Sequence, residues 1–127
     1  MVQQKTNNII VSIDAKFEGT FFKDHRKQYA FSYAVSIENL SNEPIQLKSR
    51  FWIVKDALNQ TDIIKGNGVI GEQPIIQPMQ SHHYNSGCIM ISPFGCMKGH
   101  YLMETASGQQ IEVSIPLFRL SAPFAMN

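Results

Sequence analysis

The chain has 127 residues, 43% of them hydrophobic, with 11 basic and 10 acidic side chains and a formal net charge of +1. That is one domain's worth of sequence, long enough for a core without disulfide or metal support and too apolar for a disordered chain. The charges are dispersed, which argues against a broad electrostatic footprint for nucleic acid or anionic lipid.

The polar opening, MVQQKTN, is expected to fray as a disordered tail (1–7) of a single domain spanning 1–127. Behind it lies an apolar run of only three residues, Ile9 to Val11, too short for a signal-peptide core or a membrane span. A cytoplasmic protein is the expectation. From there period two dominates. Ile9, Val11, Ile13, Ala15 and Phe17 alternate with Ile10, Ser12, Asp14 and Lys16, and Tyr29, Phe31, Tyr33, Val35 and Ile37 repeat the pattern. A helix would scatter these residues around its axis, whereas a strand gathers them on one face. In IQLKSRFWIVKD the same count puts Ile45, Leu47, Phe51 and Ile53 on one face, against Gln46, Lys48, Arg50, Trp52 and Val54. HYLMET predicts another strand, and Ile111, Val113, Ile115 and Leu117 a last one.

Turn chemistry separates these segments. NLSNEP (39–44) and DALNQTD (56–62) flank the third strand, and SPFG (92–95) and ASGQ (106–109) supply Gly or Pro at expected hairpin positions. No stretch carries a sustained helical repeat with caps. The expected fold is all-β: an immunoglobulin-like or fibronectin type III-like antiparallel β-sandwich of seven or eight strands.

KGNGVIGEQP (65–74) contains Gly66, Gly68 and Gly71, the G-x-G-x-x-G spacing of a dinucleotide site. That motif works by turning a strand into a helix whose N-terminus meets the pyrophosphate. Here Pro74 and Pro78 follow, and no acidic residue stands about twenty positions on to hold a ribose. Either the glycines serve a sharp turn or bulge in the fold, or their bare backbone, with Glu72 and Gln73, forms a loop that meets an anion or a partner.

Other candidates are weighed against structural roles. Trp52 beside Arg50 covers the second sheet face or, if exposed, anchors a protein interface. Phe124 and Met126 in SAPFAMN could dock on a partner or a second copy. Cys88 and Cys96 are expected as half-buried thiols. His82 and His83 are adjacent and point to opposite faces of a strand, and His82 and Cys88 lie roughly 20 Å apart along one. A metal set would need a cross-strand meeting, for instance Cys88 with Cys96 or Met97, and no metal site is assigned. His25 falls in a charged turn. No catalytic residues are assigned, because no G-x-S-x-G elbow or nucleophile motif is present, and no cofactor is expected.

SRFWIVKD, GNGVIGEQPIIQP, YNSGC, PFGCMKGHYLM and IPLFRLSAP, in that order over roughly residues 9–123, resemble the ApaG family. The resemblance implies the same sandwich, with the glycine trio in a loop. Met79 stands where the family usually has Gly, and His82 where an aromatic is typical. Stand-alone members are associated with cobalt tolerance and magnesium efflux. Within larger eukaryotic proteins, including an F-box protein and a DNA-polymerase-delta-interacting protein, the domain looks like a protein-binding module. The implied function is therefore a non-enzymatic protein-interaction domain using Gly66, Gly68, Gly71, Glu72 and Gln73, with Arg50 and Trp52 as interface candidates. The alternative is a small-molecule or metal-ion binder using the loop amides or the strand from His82 to Cys88. No nucleic-acid or membrane partner is implied, and self-association is left open.

Overall fold

Each alternating segment pairs as a strand, and the strands stack as two antiparallel sheets. The structure, a computed structural model, describes residues 1–58 and 61–123. Phe124 and Met126 of the C-terminal stretch lie outside the described residues. In chain order the strands are β1 (Val2–Thr6), β2 (Ile9–Lys23), β3 (Arg26–Asn39), β4 (Ile45–Asp56), β5 (Thr61–Asn67), β6 (Ile75–Ile76), β7 (Ser81–Met90), β8 (Phe94–Thr105) and β9 (Gln110–Ser121). One sheet runs β1-β2-β3-β7 and the other β5-β4-β8-β9, with β6 also paired to β4. The expected antiparallel sandwich is what forms, with nine strands among the described residues rather than seven or eight.

The core is the inner face of both sheets: Ile9, Val11, Ile13, Phe31, Val35 and Ile37 from one, and Ile45, Leu47, Trp52, Tyr101, Met103 and Val113 from the other. One flank is closed, because β1 and β2 pack against β9 and the Ser114 amide donates to the Thr6 hydroxyl at 3.3 Å. On the other flank β7 and β5 end their sheets without pairing to each other, which leaves a cleft.

Four expectations need correction. Residues 1–7 are not a frayed tail, since Val2–Thr6 pairs with β2 from Val2↔Ile13 to Thr6↔Ile9. The turn between them is Asn7-Asn8, with φ of 48° and 65°. Left-handed values at both central positions give the turn whose twist matches the strands it joins, and Asn accepts them readily. The strand escaped notice because it is almost wholly exposed and has no apolar alternation.

Second, the phase of β4 reverses part-way. An extra residue, Lys48, stands between Leu47↔Met103 and Ser49↔Leu102. Such a bulge flips every later side chain. Trp52 and Val54 therefore face inward, and Phe51 and Ile53 outward. Trp52 is 2% exposed and packs on Tyr33, Phe118 and Tyr101. It is a core residue, not an exposed anchor. Third, a bulge at Pro116 in β9 turns Leu117 outward and brings Phe118 in. A residue with no N–H fits where the ladder is interrupted. Fourth, SPFG is not a hairpin: it carries the chain from β7 in one sheet to β8 in the other.

Met79, just before β7, has φ of 64° while its amide donates to the Asn39 carbonyl at 2.7 Å. The side chain is exposed, so nothing in its packing offsets the left-handed backbone. Met79→Gly is expected to stabilise the protein by about 0.5 kcal/mol, the relief of left-handed strain exceeding the added chain entropy. Trp52→Ala is expected to cost about 3–5 kcal/mol and Phe51→Ala ~1 kcal/mol or less. Urea denaturation of the three variants checks both statements, and a larger loss at Phe51 than at Trp52 would restore the simple alternation.

Candidate functional site

The glycine stretch is a compact loop folded back on β4. β5 carries Gly66 opposite Arg50, and a Cβ at Gly66 would stand 3.2 Å from the Arg50 guanidinium. Its missing side chain makes room for that group. The Gly68 amide donates to the carbonyl of the bulged Lys48 at 2.9 Å. Gln73 Nε2 donates to the same carbonyl at 2.9 Å. Gly68 has φ of 62°, and a Cβ there would lie 1.9 Å from the Glu72 carbonyl oxygen, so no other residue fits. Val69 and Glu72 exchange amide-to-carbonyl bonds of 2.7 and 2.9 Å across a tip made of Ile70 and Gly71. The φ values there are 48° and 74°.

No helix follows Gly71; Glu72 closes the turn and the chain continues to the short β6. The amides of Gly68, Val69 and Glu72 are all engaged within the protein, so these three are not offered to an anion. The loop supports the fold at its base and is exposed at its tip. Ile70 is 61% exposed despite being β-branched in a left-handed conformation. Gly and Asn occupy such positions at little cost, whereas a β-branched residue there is strained.

Beside the loop, the open flank holds a cleft of about 210 Å³. Arg50, turned inward by the Lys48 bulge, lines it with Tyr33 and Tyr84, while Ile64, Ile70 and Gly71 form one lip and Ser86 and Gly87 of β7 the other. Arg50 Nη1 donates to the carbonyls of Asn67 at 3.2 Å and Gly68 at 2.7 Å. Among the described residues no carboxylate lies within ion-pair distance of it. The hydroxyls of Tyr84 on β7 and Tyr101 on β8 hydrogen-bond to each other, joining the two sheets at the base of the cleft. Tyr33 stands opposite Ser86 in the β3–β7 register. Burial raises all three phenols above their ordinary range, with the Arg50 charge pulling the other way. They are neutral at physiological pH and act as hydrogen-bonding groups.

The remaining candidates are scattered. His25 is the second residue of the two-residue turn joining β2 and β3. His82 and His83 occupy successive, oppositely facing positions of β7. His100 lies on the outer face of the second sheet, stacked on Phe51 and 3.0 Å from Glu112. Cys88 pairs in register with Phe31, whereas Cys96 lies between Lys55 and Arg119 in the other sheet. The imagined meeting of Cys88 with Cys96 across a hairpin therefore does not form. Burial pushes the Cys88 thiol up to about 11. Among the described residues no three His, Cys, Asp or Glu side chains gather as a metal set. No helix among them is long and apolar enough to cross a membrane.

A profile described as the ApaG domain matches residues 19–105. The chain belongs to the ApaG family. The ApaG match takes in Arg50, Tyr33, Tyr84, Tyr101 and the whole glycine loop. Relatives named Protein ApaG are similar over nearly the full chain. That of Shewanella denitrificans is 43% identical, covering 92% of this chain and 96% of its own. That of Proteus mirabilis is 32% identical, covering 96% and 98%. Two solved structures share the fold. The X-ray structure of a structural-genomics target has a TM-score of 0.89 at 36% identity, covering 92% of this chain and 89% of its own. A crystal structure of a Bordetella pertussis protein described as ApaA has a TM-score of 0.81 at 33% identity, covering 91% and 94%.

The sequence singled out the ApaG loop and Arg50, and the structure brings them together. It missed the tyrosines, whose strands alternate like any others and whose hydroxyls meet only once the two sheets stack. The two positive-φ glycines have different reasons, and this separates them experimentally. Gly68→Ala is expected to cost about 2 kcal/mol or more through collision with the Glu72 carbonyl. A Cβ added at Gly71 would meet nothing within 4 Å, so Gly71→Asn is expected to stay within about 0.5 kcal/mol of the parent in urea denaturation.

Proposed function

We propose that this ApaG-family chain is a non-enzymatic, cytoplasmic interaction domain that binds another protein through its open flank, with Ile70 at the loop tip as the apolar anchor. The observation that carries this reading is the cost accepted at Ile70: a β-branched side chain held at φ of 48° and left 61% exposed. Local strain of this kind collects at binding sites, and neither packing nor turn chemistry calls for isoleucine there. Ile64 on the neighbouring β5 lines the same cleft and is also exposed, which extends the apolar surface from the loop tip along that lip. The loop base is braced by Arg50 and Gln73, so the tip is presented on a rigid support. Within the candidate loop, Ile70, Gly71 and Glu72 are the contact residues, while Gly66, Gly68 and Gln73 hold the shape.

The dispersal of the histidines and the pairing of the loop amides favour this reading over an ion or small-molecule site at the loop. An effect on cobalt tolerance or magnesium efflux, the traits associated with stand-alone members, would then run through the bound protein.

Affinity capture with the full chain tests the reading. Ile70→Asp suits the turn conformation, so the fold is kept while the anchor is removed. The partner recovered by the parent is expected to bind Ile70→Asp at least about tenfold more weakly when the pair is measured with purified components. Equal affinity for the two forms would remove the flank from consideration.

A further inference from the structure

β7 is a bare edge. It runs for ten residues, Ser81–Met90, at the end of its sheet, and contains no Pro, Lys, Arg, Asp or Glu. Those are the residues by which edge strands discourage further pairing. Its register with β3 is unbroken from Glu38↔Ser81 to Tyr29↔Met90. The Asn39 amide donates to the Gln80 carbonyl at 3.0 Å, one step beyond that register. Antiparallel bonding alternates. Carried along the strand, that alternation points the N–H and C=O groups of Ser81, His83, Asn85, Gly87 and Ile89 away from β3, toward the open flank. The intervening residues, Tyr84 and Ser86 among them, turn their side chains to the cleft.

Beneath this edge sits a positive charge with room beside it. Arg50 faces inward, has no carboxylate within ion-pair distance among the described residues, and shares the cleft of about 210 Å³ with the Tyr33 and Tyr84 rings. A cleft of that size has room for a short acidic side chain. A strand laid along β7 directs alternate side chains into the same space.

We infer that β7 receives an extended segment of a partner protein as an added strand, with one Asp or Glu side chain of that segment seated against Arg50 and the tyrosine hydroxyls. This rests on the protein-binding reading above and names its mode: backbone pairing supplies the affinity, and a guanidinium–carboxylate contact the selectivity. A second copy of the chain is the poorer occupant, because β7 has no carboxylate to bring to Arg50.

The test pans a phage-displayed library of random twelve-residue peptides against the full chain, then maps synthetic hits by amide NMR. Enriched peptides are expected to carry Asp or Glu at one fixed place among β-branched residues. They should shift and protect the amides of His83, Asn85 and Gly87. Replacing the peptide's acidic residue with its amide should weaken binding about tenfold. N-methylating alternate peptide amides should abolish binding in one phase and spare it in the other, a result that needs no change to the protein. Asn85→Pro, which removes an outward N–H, should do the same if that variant folds.

Enriched peptides that move the amides around Ile70 but not those of β7 would overturn this inference and leave the Ile70 reading standing. Failure to enrich any peptide, or sedimentation and NMR showing β7 paired with β7 in a dimer, would also overturn it. In both cases the Ile70→Asp comparison on the captured partner still reports separately on the broader reading.

Discussion

The carbonyl of Lys48 is the point on which the functional end of the molecule depends. The bulge leaves Lys48 without a partner in β8, and on the β5 side its carbonyl takes two donors, the Gly68 amide and the Gln73 side chain. The bulge turns Trp52 into the core and Arg50 into the cleft. Arg50 in turn bonds the carbonyls of Asn67 and Gly68, at the other side of the loop that captured Lys48. Bulge, glycine loop and arginine thus form a closed circuit in which each fixes the next. The unusual glycine spacing is explained by this circuit: space for a guanidinium at Gly66, clearance from a carbonyl at Gly68, and a left-handed turn at Gly71.

Most of the fold was legible because one-sided burial writes itself as alternation. Tyr29 to Ile37 and Ile9 to Phe17 show it without interruption, and both form strands, which pair with each other. The same rule misplaced Phe51, Trp52 and Leu117, since counting by two cannot see an inserted residue. Nothing local marks Lys48 as a bulge; the groups that hold it there are some twenty residues further along the chain, at Gly68 and Gln73. The rejection of a dinucleotide site was legible from Pro74 and Pro78, and the chain after Gly71 does stay non-helical. The cleft was not legible. Tyr84 and Tyr101 belong to strands of different sheets, and their hydroxyl contact exists only through the stacking of those sheets.

Strain in this protein is concentrated where the backbone turns left-handed without glycine. Asn7-Asn8 and Asp24-His25 use residues that tolerate the conformation and make two-residue hairpins of the same hand as the strand twist. Ile70 and Met79 do not suit it, and they bracket the segment that carries β6 and leads to the start of β7. The connection to β7 is nevertheless held firmly. The buried Asn39 side chain donates to the Glu43 and Ile76 carbonyls at 2.9 Å each and accepts from Ser41. The Asn39 bonds thus anchor the approach to β7 on one side of the flank, and Arg50 and Gln73 brace the loop on the other.

The pairing of Val2–Thr6 with β2 settles how the domain can be mounted. Met1 lies beside Asp14 and Leu117, on the closed flank, at the opposite end of its sheet from β7. Whatever polypeptide is joined there trails from the rear of the sandwich. A label or surface linker attached at Met1 would therefore leave the cleft between β5 and β7 uncovered.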